Sequence, residues 1–255
     1  MTQATPFAPQ DRLDGKVAVI AGGTGAIGHA SARRLAARGA RCVLLHHGDP
    51  AAAARVAELP GEGHAEVSAS ITDSPALKAA ADRVRADFGV CHILVNSAGY
   101  TKPVPAADLD ALTDELIDDI LKVNFRGVFS TIRAFAPLLK ESGDGLIVTL
   151  SSIAAFTGVG SNLAYVAAKA SVDVVGEALA RVLAPHVRVL SVSPGVVDST
   201  FVPGRGADFN AKTAATTPLG RIGTTDDIAA AVEACATSLR FATGTRIVVD
   251  GGRHL

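Results

Sequence analysis

A short apolar run that stops at a cluster of glycines and leads into an Ala-rich stretch constrains this chain more than any other feature. Lys16-Val17-Ala18-Val19-Ile20-Ala21 carries no charge after its first residue. Such runs suit a parallel strand covered on both faces. Gly22-Gly23-Thr24-Gly25-Ala26-Ile27-Gly28 follows, and then a helix-forming segment from Ile27 to Arg38, closed by Gly39. Glycines let the chain turn tightly and let backbone N–H groups approach a pyrophosphate. The helix N-terminus adds partial positive charge at the same place. Strand, glycine loop and helix in this order therefore predict a dinucleotide-binding βαβ unit, with Gly22, Thr24, Gly25, Ile27 and Gly28 against the ligand.

The alternation continues to the end of the chain. Strands are predicted at 41–46, 64–69, 91–95, 146–150, 187–192 and 246–249, which with the first makes about seven. Helices are predicted at 51–59, 73–88, 109–140 over most of its length, 163–183 and 227–239. Asp73 or Ser74 is expected to cap the second of these, and Thr225 or Asp226 the last. The expected fold is α/β, a Rossmann-type doubly wound parallel sheet in a single domain. At 255 residues, 48% apolar and 19% charged, the chain can bury one large core. Residues 1–14 read as a loose arm and residues 15–255 as the domain. The Gly-, Pro- and Thr-rich segment 198–217 suits a lid over a pocket.

Composition narrows the partners. A net charge of −1 implies no broad affinity for nucleic acid or anionic membrane. Cys42, Cys91 and Cys235 form no metal-binding or disulfide pattern. No apolar run reaches membrane-spanning length. A cytoplasmic protein with a small-molecule ligand and no metal is the expectation.

Two stretches carry chemistry. At the end of the second strand, the place where an acid holds a ribose 2′-hydroxyl in NAD-binding folds, the chain has His46 and His47, with no carboxylate before Asp49. An acid there would repel a 2′-phosphate and a histidine can donate to one, so NADP(H) is favoured, with NAD(H) the alternative. In the 163–183 helix, Tyr165 and Lys169 are four residues apart and share a face. The ammonium favours phenolate and should draw the phenol below its usual pKa of about 10, making it a general acid and base for an alcohol oxygen. Asn96-Ser97-Ala98-Gly99, small residues after a strand, would admit a flat ligand close to the backbone. Asn124 lies in an apolar context, and a buried amide there needs partners.

With these motifs in order from about Leu13 to Gly252, the chain resembles the short-chain dehydrogenase/reductase family. The glycine loop is similar to its coenzyme motif, Asn96–Gly99 to its NNAG segment, and Ser193-Pro194-Gly195 to its turn near the nicotinamide. Departures are Ala21 before the first glycine, Ala26 with Gly25 in place of the usual spacing, Ser97 in the NNAG segment, and Ser70 where an Asp often stands near the adenine. The resemblance implies a catalytic tetrad of Asn124, Ser152, Tyr165 and Lys169. Tyr165 would exchange the proton. Lys169 would lower the Tyr165 pKa and hold the ribose. Ser152 would bond the substrate oxygen, and Asn124 would hold a relay water. It also implies coenzyme contacts from Asn96, Ala98, Gly99, Tyr165, Lys169, Pro194, Gly195, Val197 and Thr200.

The function implied is reversible hydride transfer between a nicotinamide and a secondary alcohol or ketone, in an NADP(H)-linked carbonyl or 3-oxoacyl reductase. An NAD-linked sugar, polyol or steroid dehydrogenase is the alternative. A non-catalytic dinucleotide-binding regulator, the reading from another class, would be expected to lack Tyr165 or Lys169. Ser152, Ala154, Phe156, Leu163, Tyr165 and Phe201, with Phe209, are expected to line the substrate pocket and to favour an uncharged, partly apolar group. Lys122, Arg126 and Arg133 are candidates for a carrier-protein contact. A homotetramer or dimer is implied, packed through the helices from Leu109 and Leu163, with Ala167, Ala168, Ser171, Val174, Val175 and Ala178 permitting close approach.

Overall fold

The structure is a computed structural model that describes residues 11–204, 206 and 208–255. Most of the predicted arm and two positions of the predicted lid, 205 and 207, lie outside the described residues. Seven strands form one parallel sheet: β1 (Val17–Ala21), β2 (Arg41–His46), β3 (Ala65–Ser68), β4 (Ile93–Asn96), β5 (Gly145–Leu150), β6 (Val187–Pro194) and β7 (Thr245–Val249). Their order is β3-β2-β1-β4-β5-β6-β7. The order reverses between β1 and β4, so a crevice opens there at the carboxyl ends of the strands. β1, β4 and β5 are buried at every position, as central strands covered on both faces must be.

Helices cover the two faces and generate two main cores. On one face, α3 (Ser74–Phe88), α5 (Val128–Glu141) and α7 (Leu163–Leu183) bury Leu77, Phe135, Leu139 and Val172 against Val19, Leu94 and Ile147. On the other, α1 (Ala26–Ala37) and α9 (Thr225–Ala236) bury Leu35, Ile228 and Val232 against Ile20, Leu44 and Val148. Arg34 bonds Asp226 at 2.6 Å and Glu233 at 2.9 Å, and Arg38 joins Glu233, which fastens α1 to α9. Buried and paired to two guanidiniums, Glu233 is the kind of charge an interior tolerates.

The local signals behave as their chemistry dictates. Asp73 caps α3 by accepting from Ala76 N–H. Thr224, one residue before the predicted start, caps α9 in a reciprocal box with Asp227. Three predictions need correction. The short α2 spans only Ala52–Ala57. The stretch after β5 is not all loop, since Ala154–Thr157 forms a turn of helix, α6. The long helix begins at Asp114, where Thr113 accepts from Leu116 N–H, and not at Leu109. It is also interrupted: α4 (Asp114–Leu121) passes through a π-helical turn, Lys122–Gly127, before α5. Wide turns of this kind concentrate at functional sites.

Candidate active site

The crevice at the carboxyl edge is a cleft of about 1280 Å³, large enough for a coenzyme and a second ligand together. It runs from His46, His47 and Ser70 after β2 and β3, past the glycine loop and Ser97–Gly99, to Ser152, Tyr165 and Pro194. It ends against Phe201, Thr216, Arg253 and His254. No Asp or Glu is among its described lining residues.

At the glycine-loop end the fit is set by backbone. Gly22 has φ +75°, and a Cβ there would stand 2.7 Å from Ala98 N. A Cβ on Gly28 would stand 2.2 Å from Gly22 O. Gly28 is thus a packing glycine that seats α1 against the loop; it does not line the cleft. Gly25, Ala26 and Ile27 do line it. Gly25 precedes α1 with no side-chain cap and no acid in the first turn, so the helix N-terminus faces the cleft open to an anion.

The histidines separate. His46 is buried, with Nε2 2.6 Å from Glu66 Oε2 and Nδ1 accepting from Asp49 N–H at 3.0 Å. Both ring nitrogens are therefore engaged, and the expectation that His46 is free to donate to a phosphate is corrected. His47 is exposed and lines the cleft. Asp49 turns back toward the glycine loop, where its carboxylate accepts from the Thr24 hydroxyl and from Ala51 N–H. These contacts hold its pKa below the ordinary value, the Thr24 bond contributing most.

At the centre, α7 delivers Tyr165 and Lys169 from one face, as their spacing requires. Asn162 caps the helix by accepting from Tyr165 N–H at 2.7 Å and donates to Lys102 O at 2.8 Å, which fixes where the first turn points. Tyr165 is 9% exposed and Lys169 4%. Lys169 Nζ lies 5.6 Å from the Tyr165 ring centroid and donates to Leu150 O at 2.6 Å. That is one of its three N–H donors; among the described residues no other partner takes the remaining two. Burial pushes the Lys169 pKa down to about 8, opposed by the negative charge of Asp173. Ser152 Oγ accepts from Ala154 N–H at 3.1 Å, which leaves its O–H to donate into the cleft.

Asn124 is fully buried in the π turn, but its amide does not line the cleft. Its Nδ2 donates to Tyr100 O at 2.7 Å and Ile120 O at 3.0 Å, and its Oδ1 accepts from Tyr100 N–H at 3.2 Å. Both N–H donors are thus engaged by carbonyls. The side chain splints the loop after β4, and its two N–H donors are spent there. Asn96 is likewise buried behind the wall, donating to Thr149 Oγ1 at 3.4 Å, and is not a lining residue.

Ala154 and Phe201 line the pocket as expected, and so does Phe209. Phe201 stands over Tyr165 at 6.1 Å between ring centroids. Phe156 and Leu163 do not line it. Phe156 packs between Arg246 and the His254 ring, at 5.3 Å and 5.7 Å, and Leu163 faces outward, 39% exposed. Lys122, Arg126 and Arg133 are not lining residues either; Arg133 donates to Ser74 on α3. Three groups were missed from sequence: Asp173, Arg253 and His254. Asp173 had a signal, since it stands one helical turn beyond Lys169 on the same buried face. The other two had none, because only β7 brings the chain terminus to the cleft.

The residues fit a bound dinucleotide. The Gly22 position would be filled by any Cβ, the α1 N-terminus is bare, and two buried ammonium donors are available. Comparisons with known proteins agree. A family model described as enoyl-(acyl carrier protein) reductase matches residues 22–254. D-Threitol dehydrogenase of Mycolicibacterium smegmatis is 36% identical, over 94% of this chain and 94% of that protein. The 3-oxoacyl-(acyl-carrier-protein) reductase of Escherichia coli is 31% identical, over 95% and 99%. The crystal structure of an NADPH-dependent 3-quinuclidinone reductase from Rhodotorula rubra superposes with a TM-score of 0.87 at 28% identity, over 99% and 98%.

Proposed function

The chain belongs to the short-chain dehydrogenase/reductase family, and from that premise we propose that Tyr165, Lys169 and Ser152 interconvert a ketone and a secondary alcohol in this cleft. It is an NAD(P)-dependent oxidoreductase. The observation that carries the assignment of residues is the buried Lys169 ammonium above the Tyr165 ring, with donors to spare, inside a cleft whose described lining has no carboxylate.

A bound nicotinamide supplies or accepts the hydride. Tyr165 gives its phenolic proton to the substrate oxygen in reduction and takes it back in oxidation. Lys169 stabilises the phenolate so formed, and its two remaining N–H donors would hold the ribose hydroxyls of a bound coenzyme. Ser152 donates to the substrate oxygen, where charge develops. Asn124 acts at one remove by holding the loop after β4 through Tyr100.

We read the coenzyme as NADP(H). His47 is exposed and lines the cleft after β2, where it would donate to a ribose 2′-phosphate, and a solved relative is NADPH-dependent. The Asp49 carboxylate on Thr24 supports NAD(H) as the second reading. Substrates in view are carbonyl or 3-oxoacyl compounds, with polyols second. A homo-oligomer in the cytoplasm completes the reading. On the outer face of α7, Val174 is 64% and Val182 68% exposed, an apolar stripe suited to a second copy. Ala168 belongs to the buried face and drops out of that stripe. The three cysteines are free and buried, in keeping with a reducing compartment.

The test is paired. Tyr165→Phe should lower turnover of a ketone panel by about 10²–10⁴ while calorimetry shows coenzyme binding within a few-fold of wild type. Near-full turnover refutes the assignment. In the same titrations NADPH should bind more tightly than NADH, and the reverse order selects the second reading.

A further inference from the structure

We infer that the far end of the cleft is an anion subsite, in which Arg253 and His254 receive a carboxylate or phosphate at the end of the substrate remote from the reacting carbon. The inference rests on the oxidoreductase reading above and narrows its substrate class; it replaces the sequence-based expectation of an uncharged group.

Position comes first. β7 is the edge strand beyond β6, and the glycine loop follows β1. Residues just after β7 therefore stand past Ser152 and Pro194, at the end of the cleft away from the glycine loop. Arg253 and His254 both line it there. The terminus is held in place for this. Asp250 accepts from Gly252 N–H at 2.9 Å, His254 N–H at 2.8 Å and the His254 ring at 2.8 Å. Its side chain is only 4% exposed.

Charge comes second. Arg253 Nη1 donates to Thr216 Oγ1 at 3.0 Å and, at 3.4 Å, to Thr213 O and Thr217 Oγ1. All three acceptors are neutral and belong to or follow α8 (Phe209–Ala215). Among the described residues no carboxylate pairs with Arg253, and its Nε and Nη2 make no hydrogen bond. A guanidinium fixed through Nη1 in the cleft wall, with Nε and Nη2 uncommitted, is prepared for a planar or tetrahedral oxyanion. The other charged groups at this end do not compete. Asp250 is covered by its three donors, while Arg246 lies over Phe156 and faces Asp173 and Glu177 at 3.9 and 3.7 Å. His254 Nδ1 is committed to Asp250, so its Nε2 is the ring edge left for the ligand. Unlike this arginine, Arg34, Arg85 and Arg221 all bond carboxylates at 2.6–2.7 Å.

Two matched pairs of probes test the subsite and separate the sources of the anion. 4-Oxocyclohexanecarboxylate against its methyl ester reads a carboxylate. Acetoacetyl-coenzyme A against acetoacetyl-N-acetylcysteamine reads phosphate. The expected result is a preference for the anionic member of one pair of about tenfold to a hundredfold in kcat/KM. It should fall to within about threefold in Arg253→Gln and be partly kept in Arg253→Lys. No preference in either pair overturns the inference, and so does a preference that survives Arg253→Gln. Calorimetry of the same four compounds gives a readout independent of turnover. If no ketone is reduced with either coenzyme, the oxidoreductase reading fails by itself, and the subsite stands or falls on whether the anion binds wild type more tightly than its neutral partner.

Discussion

At the glycine-loop end of the cleft the walls are backbone: Gly22, Gly25 and the small residues Ser97–Gly99, all just beyond the ends of β1 and β4 in the chain. At the opposite end the walls are side chains drawn from positions as distant as 152, 201, 216 and 253. The first end can be read from a short window, because a glycine spacing is itself the geometry. The second exists only after β7 has closed the sheet. One end is specified by what cannot be added to it; the other by which groups happen to meet.

The sharpest way to break this contrast is to fill the backbone end. Gly28→Ala places a methyl 2.2 Å from Gly22 O, with Ser97 Oγ at 2.7 Å on the other side. The Ser97 hydroxyl can rotate away, but the Gly22 carbonyl cannot retreat without moving the loop or α1. Overpacking of this sort costs about 1–3 kcal/mol. Coenzyme affinity should fall at least about tenfold with it, read by melting and by NADPH titration. Ordinary affinity in Gly28→Ala would mean that the loop is softer than its packing implies.

A second substitution acts between the two ends. Lys169, with a pKa near 8, loses its charge as the pH rises through that value. The activity that depends on the ammonium should decline over the same range. Asp173 is buried, neither carboxylate oxygen has a hydrogen-bond partner, and Arg246 at 3.9 Å is the cation that offsets part of its field on Lys169. Asp173→Asn leaves desolvation unopposed and should move the alkaline limb to lower pH, by roughly one unit. A limb that stays in place would remove Asp173 from the electrostatics of the site. Stability follows the opposite sign. The folded pKa lies below the unfolded value of about 10.4, so the buried ammonium is destabilising below pH 8. Its cost is relieved as the pH climbs from about 8 toward 10.4.

The smallest effect is expected at the side-chain end. Phe201, 40% exposed, lies over Tyr165. Phe201→Ala should raise KM a few-fold for bulky ketones and leave kcat nearly as it was. A fall in kcat larger than the rise in KM would show that the ring also orders Tyr165, drawing the lid into the chemistry.

Legibility in the sequence follows the same division. The seven strands, the glycine loop, and the shared face of Tyr165 and Lys169 all depend on neighbours within a turn or a strand, and each was readable. His46 was misread because its partner Glu66 lies 20 residues away in sequence, and the contact of Asn124 with Tyr100, 24 residues away, was likewise illegible until the fold brought the two together. Phe156 is expected in the pocket from the sequence and does not line it. Its ring is instead claimed by Arg246 and His254 from beyond β6. The interruption of the 114–141 helix had only the hint of an amide among apolar residues.

The wide turn at Lys122–Gly127 fixes the length of the rod that contains it. A π turn holds about one residue more than an α turn, so the segments before and after it are out of phase by roughly 100°. Removing a single residue there would heal the rod into regular winding, and the backbone itself would gain by it. The same deletion would swing Ile120 away from the interior and lift the Asn124 amide off Tyr100, leaving the crossing after β4 unsplinted. An irregularity that looks like a flaw in winding is therefore what lets the faces of α4 and α5 both meet their partners.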